Sequence, residues 1–195
     1  LAPFLLVMVT SFTRIIVVLH FVRSALGTQT SPPNQVLIGI ALFLTLFIMA
    51  PVMTQINKDC IQPYDKGKLT QEEALNAGLK PIRKFMFEQT NRKDIRLFME
   101  IEKQSNDVSI EKEDEIPTLV LIPAFMISEL RIAFIIGFLI YLPFIVIDMV
   151  VASTLMSMGM MMLPPTTISM PFKILLFVLA DGWNLVIGQL VKTFY

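Results

Sequence analysis

Apolar and polar residues do not alternate evenly along this 195-residue chain; they fall into long blocks. A helix that crosses a bilayer needs about 20 mostly apolar residues. The first block, residues 1–26, carries Arg14, His20 and Arg23 and ends at Gly27 and the loop TQTSPPN. The second, residues 34–53, follows Pro32-Pro33 and is uncharged. Prolines there suit a helix start, where a missing N–H is not needed. The third, residues 116–163, is too long for one span, and Pro123, Gly137 and Pro143 punctuate it. We place its membrane-type helix at 132–155 and assign 118–131 to the end of a polar domain. The fourth covers 170–191, with Trp183 near its far end, where an interfacial Trp is expected.

Between these blocks the pattern changes. Residues 54–118 hold 11 Lys/Arg and 13 Asp/Glu. The rest of the chain holds only Arg14, Arg23, Glu129, Arg131, Asp148, Lys173, Asp181 and Lys192. Within the polar stretch, Ile95, Phe98, Met99 and Glu102 recur at helical spacing, which predicts two or three short amphipathic helices. SNDVSIEKEDEIP, residues 105–117, reads as a charged loop. The fold class is therefore all-α: two kinked membrane-type helical hairpins, 1–53 and 132–195, joined by a small polar helical insertion, 54–131. The apolar stretches after the two Pro-Pro pairs are loosely alike, which hints at an internal repeat. Both Pro-Pro turns then lie on one side of the membrane and the insertion on the other. Arg23 and Lys173 beside the turns mildly favour the cytoplasm for them.

Composition narrows the chemistry. Apolar residues make up 54% and charged residues 16%, against about 25% charged in a soluble domain. Net charge is zero, so no electrostatic footprint for nucleic acid exists. Cys60 has no disulfide or CxxC partner, and the single histidine, His20, excludes a His-based triad or multi-His metal site. His20 reads as a core residue. No Gly-rich phosphate loop occurs. We expect no cofactor, no metal and no enzymatic activity. The chain begins at Leu1 inside an apolar run, so upstream residues, including a signal peptide, are expected to be missing.

Ionisable groups within apolar spans are costly and are functional candidates. Asp148 lies seven residues before the expected helix end near Leu155, and Lys173 lies eight past Pro165. Antiparallel helices with such offsets bring the two to similar depth, which allows an ion pair. Lining of a wet cavity, or contact with another subunit, is the alternative for each, and Arg14 is a competing partner for Asp148.

The stretch MSMGMMMLPP, residues 156–165, is the most unusual in the chain. Methionine is flexible and polarisable and adapts to irregular partners. One helix face cannot use Met160, Met161 and Met162 together, and Gly159, Pro164 and Pro165 argue for a turn. Helix packing is the plain reading of one or two methionines. A loop lined by several could instead close a pore by dewetting.

The stretches MVTSFTRIIVVL, LGTQTSPPNQVLIGIALFLTLFIMAP, YLPFIVIDMVVASTLMSMGMMMLPP and ISMPFKILLFVLADGWNLVIGQLV resemble the FliP family of type III export gates. The likeness covers nearly all of both hairpins and the polar insertion far less clearly. Injectisome homologues share the pattern, but the MMMLPP turn looks more flagellar. The resemblance implies a pore-forming subunit of the flagellar protein export gate, in the bacterial inner membrane at the flagellar basal body. It implies a homo-oligomer of about five copies with FliR- and FliQ-like subunits, an FlhA/FlhB-like apparatus, and unfolded flagellar proteins as substrates. By resemblance, Met160, Met161 and Met162, with Met158, form a gasket around the closed pore, and Glu129 supports subunit assembly. It further implies kinked helices packed on protein rather than a simple four-span bundle. Two other readings compete: a proton-coupled transporter subunit using Asp148, Lys173 and Asp181 as a relay, and a structural scaffold whose methionines only pack.

Overall fold

The computed structural model describes residues 7–103, 116–160 and 162–195. Among them seven helices occur and no strand. They are α1 (Phe12–Ala25), α2 (Asn34–Asp65), α3 (Gln71–Gln89), α4 (Arg92–Lys103), α5 (Thr118–Ser157), α6 (Pro165–Leu179) and α7 (Gly182–Lys192). Helices α2 and α5 are long and apolar enough to cross a membrane. The α6–α7 pair qualifies only as one broken span, bent by 66°.

The chain divides into two compact units. Unit 1 comprises Leu1–Arg14 and Phe43–Ile132, and unit 2 comprises Ile15–Leu42 and Ala133–Tyr195.

In unit 1 the helix of the first block is interrupted at 9–11, so the unbroken helix expected over 1–26 is replaced by α1 from Phe12. The Thr10 hydroxyl donates to the Val7 carbonyl, 3.2 Å away. Such local bonds from Ser and Thr compete with the helical ladder. Helix α2 does not stop near Met53 but continues to Asp65 through a π-turn at Asn57–Ile61. Helix α3 opens with a capping box: the Thr70 hydroxyl accepts from the Glu73 N–H, and Glu73 Oε2 accepts from the Thr70 N–H at 2.8 Å. That backbone bond, with a second from the Thr70 hydroxyl, holds the Glu73 carboxyl below its ordinary range.

Helix α4 buries Ile95 and Met99, as its spacing predicts. These residues share the interior of unit 1 with Phe85, Met86, Leu121 and Phe125, and the rings of Phe85 and Phe125 meet edge to face at 6.1 Å. Asp94 anchors α4 to α5: it accepts from the Ser128 hydroxyl at 2.6 Å and from Arg131 at 2.5 Å. Arg83 of α3 donates to the Ile116 carbonyl at 2.6 Å and to the Thr118 hydroxyl, fixing the start of α5.

Helix α5 departs from expectation. Pro123, Gly137 and Pro143 do not divide it; it runs unbroken for 40 residues, about 60 Å. Apolar surroundings preserve the helix because a broken backbone there would leave polar groups unpaired.

In unit 2 the buried side chains include Ile15, Val18, Leu19, Val22, Leu37, Ala133, Phe144, Phe177, Val186 and Leu190. Gly137 lets α1 approach α5: a Cβ there would lie 2.4 Å from the Phe21 ring. Phe21 instead meets Phe134 edge to face at 5.2 Å. The fourth apolar block is not one helix but two. They bend where Asp181 takes the left-handed conformation (φ 49°, ψ 48°). Phe177 fills the inside of this bend, with Phe144 at 6.4 Å and Trp183 edge to face at 5.2 Å. Trp183 is thus part of the elbow's aromatic cluster.

Candidate functional site

The methionine-rich turn is built from the end of α5 and the start of α6. Helix α5 closes with a Schellman pattern. The Gly159 N–H donates to the Met156 carbonyl, and the Met160 N–H reaches back to the Leu155 carbonyl, both at 3.0 Å. Gly159 takes φ +74°, which is why glycine stands there. Pro164 then caps α6 in extended conformation, and Pro165 occupies its first helical position. The helix stop and the helix start therefore have separate causes, and the loop between them is short. Its methionines are exposed: Met158 by 68%, Met160 by 43% and Met162 by 98%. Met161 lies outside the described residues. No described residue of unit 2 buries Met162, so this side chain contributes little to the packing of that unit.

Farther from this turn, α5 and α6 are tied by charge. Lys173 Nζ donates to Asp148 Oδ2 at 2.6 Å, and the Ser169 hydroxyl donates to Asp148 Oδ1 at 2.5 Å. Ser169 and Lys173 are one helical turn apart, so both face α5. Lys173 is only 2% exposed and Ser169 is fully buried. Both carboxylate oxygens are thus engaged, as a charge in an apolar setting requires. Ser169 was not singled out from sequence; its i, i+4 spacing to Lys173 is the signal that marks it.

Arg14 belongs elsewhere. The sequence grouped it with Asp148 and Lys173, but in unit 1 its guanidinium forks onto Glu129, with Nε to Oε2 at 2.9 Å and Nη2 on Oε1. Gln89 Oε1 accepts a further bond from Nη2 at 3.0 Å. A planar fork matched to a carboxylate is the preferred geometry for a buried Arg. Glu129 is fully buried and Arg14 is 1% exposed. The Glu129 carboxylate, expected at a subunit contact, is therefore enclosed within unit 1 itself.

Asp181 sits exposed at the α6–α7 elbow, where its Oδ2 accepts from Asn184 Nδ2 at 3.0 Å. No group of three or more His, Cys, Asp or Glu side chains capable of holding a metal occurs among the described residues.

These features can be compared with known proteins. A model of the FliP family matches residues 1–190. Flagellar biosynthetic protein FliP of Bacillus subtilis is 54% identical over 99% of this chain and 86% of its own length. The FliP of Pectobacterium carotovorum is 49% identical over 99% of the chain and 74% of its own length. For Aquifex aeolicus FliP the figures are 48%, 100% and 81%. A family match over nearly the whole chain, with relatives about half identical over that length, leaves one assignment: the chain belongs to the FliP family of flagellar biosynthetic proteins, non-enzymatic membrane components of the flagellar export apparatus.

Proposed function

We propose that the chain is a pore-forming subunit of the flagellar protein export gate and that its Met158–Met162 turn is the gate's gasket. The observation that carries this reading is the exposure of Met158, Met160 and Met162 on a turn whose ends are fixed by Gly159 and by Pro164-Pro165. A fixed turn offers flexible thioethers to something beyond the chain. Copies of that turn around one axis would pack against each other by dispersion alone and would deform around a passing polypeptide of any sequence. Rigid or charged side chains could not do both.

Helix α5 supports an oligomeric setting. Phe134, Ile135, Phe138, Leu139, Val146, Met149 and Val150 are each more than half exposed. So much apolar surface requires lipid or neighbouring subunits. We assign the neighbours as further copies of this chain, about five in all, with FliR- and FliQ-like subunits around them and an FlhA/FlhB-like apparatus supplying unfolded flagellar substrates. In this reading the assembly stands in the bacterial inner membrane at the base of the flagellum.

The test is ion conductance across membranes holding the co-expressed assembly. Replacing Met160, Met161 and Met162 by alanine should give a leak with normal assembly. Truncating a buried methionine typically costs about 2–5 kcal/mol, whereas an exposed one such as Met162 should cost far less. A tight membrane with full assembly would remove the gasket from the reading. Lost assembly would favour a scaffold in which the methionines pack. The relay alternative is disfavoured by the engagement of Asp148 with Lys173 and Ser169, and of Asp181 with Asn184.

A further inference from the structure

We propose that His20, Arg23 and Asn34 form an acid-sensitive clasp that holds the 26–34 turn of unit 2 closed against Lys173. Arg23 Nη2 lies 3.0 Å from His20 Nδ1. A guanidinium has donors only, so Nδ1 must accept and the ring must be neutral, with its proton on Nε2. The other terminal nitrogen, Nη1, donates to Asn34 Oδ1 at 2.5 Å and reaches the Pro32 carbonyl at 3.4 Å. One guanidinium therefore joins the last turn of α1 to the first residue of α2, with the imidazole as its anchor on α1.

The clasped turn covers something. Gly27 takes φ +76°, and a Cβ added to it would sit 3.9 Å from Lys173 Nζ and 3.9 Å from Met170 Cβ. The turn thus lies against α6 at the buried ammonium of the Asp148–Lys173 pair. Lys173 is 2% exposed, and the turn is part of what keeps it dry. Within the turn, the Thr28 hydroxyl lies 2.5 Å from the Ser31 carbonyl and 3.3 Å from that of Arg23. These bonds shape the turn without tying it to α2.

Protonation of His20 would place a proton on Nδ1 and a second cation 3.0 Å from Arg23. The acceptor is lost and repulsion replaces it. An imidazole titrates near 6.5 in ordinary surroundings. The clasp is therefore present above the histidine's titration and lost below it. The other titratable or charged groups of unit 2 do not offset this. Asp148 on α5 and Lys173 on α6 bond each other, Asp181 at the elbow bonds Asn184, and Tyr141, Lys192 and Tyr195 complete the set. No carboxylate among the described residues bonds His20.

Amide hydrogen exchange of the assembled, membrane-inserted protein tests the clasp, with rates corrected for the intrinsic effect of pH. The reporting amides are Gly27, bonded to the Ser24 carbonyl, and Val36 and Leu37, both bonded to that of Pro33. Between about pH 7.5 and 4.5, a range wide enough to carry the clasped imidazole through its titration, wild-type exchange there should accelerate by about tenfold for one pKa unit of coupling. His20→Gln keeps an acceptor oxygen that cannot titrate, so protection should persist at both values. Arg23→Gln should exchange fast at both. Equal wild-type protection at the two values would overturn the proposal without recourse to any variant. So would an acid response in His20→Gln that matches the wild type.

Discussion

Lys173 Nζ stands 2.6 Å from Asp148 Oδ2, yet the two partners differ in their access to water: Lys173 is 2% exposed and Asp148 25%. The asymmetry sets which partner is costlier to remove. Asp148→Ala strands a buried ammonium, and breaking a buried pair this way typically costs about 3–5 kcal/mol. The partial exposure of Asp148 places the expected loss toward the lower end. Asp148→Ala should therefore lower the yield of assembled protein, measured on native gels after co-expression. A paired change, Asp148→Ala with Lys173→Met, should recover much of it, since an apolar replacement of both charges is often nearly neutral. Full yield of the single variant would show that the pair contributes nothing to folding or assembly.

The second pair is drier still. Glu129 is fully buried, and Arg14 and Gln89 are joined through the same guanidinium. Glu129→Ala leaves that guanidinium without its carboxylate and should destabilise unit 1 by about 3–5 kcal/mol. Association between copies should fall more than membrane insertion, because insertion depends on the apolar spans and association on the shape of the folded units. Cross-linked oligomer yield compared with membrane-extracted chain gives the two quantities. An equal fall in both would refute the distinction.

These two pairs also mark where the sequence is readable. Asp148 and Lys173 flank one turn at matched offsets, so helix geometry alone brings them together, 25 residues apart in sequence. Arg14 and Glu129 are 115 residues apart, on elements whose pairing no local pattern encodes. The same contrast runs through the fold. The helix stop at Gly159 and the start at Pro164-Pro165 are legible because backbone chemistry dictates them. The unbroken course of α5 through Pro123 and Pro143 is not, because surroundings override the local penalty of proline. Nor is the elbow at Asp181: a left-handed Asp is stabilised by what packs beside it, and the sequence LADGW spans a helix pattern without a proline. The exposure of Met162 likewise appears only once the ends of α5 and α6 are placed.

Gly159→Ala probes the turn without touching its methionines. A Cβ at this position meets nothing within 4 Å, so sterics with neighbours add no cost. The penalty is that of φ +74° for an L residue, about 1–2 kcal/mol. The local consequence should be faster exchange of the Met160 amide, whose partner is the Leu155 carbonyl. If the turn seals a pore, a conductance rise should accompany this loosening. Unchanged amide protection would mean that the left-handed geometry is not what closes α5.

Gly182→Ala tests the elbow, and here space rather than backbone decides. A Cβ at Gly182 would lie 2.4 Å from Cδ2 of Phe177 and 2.5 Å from its Cε2. No rotation of the alanine methyl relieves such contacts, so the Phe177 ring or the 66° bend must move. Either response disturbs the edge-to-face contact of Phe177 with Trp183 at 5.2 Å. Overpacking of this kind typically costs about 1–3 kcal/mol. Trp183 is the chain's single tryptophan, which makes it a direct reporter in the isolated chain. Its emission should shift, and thermal stability should fall with it. Phe177→Leu in the Gly182→Ala background should restore stability by vacating part of the ring's space, while leaving the tryptophan signal altered. An unshifted emission in Gly182→Ala would show that the aromatic cluster does not depend on a glycine at the bend.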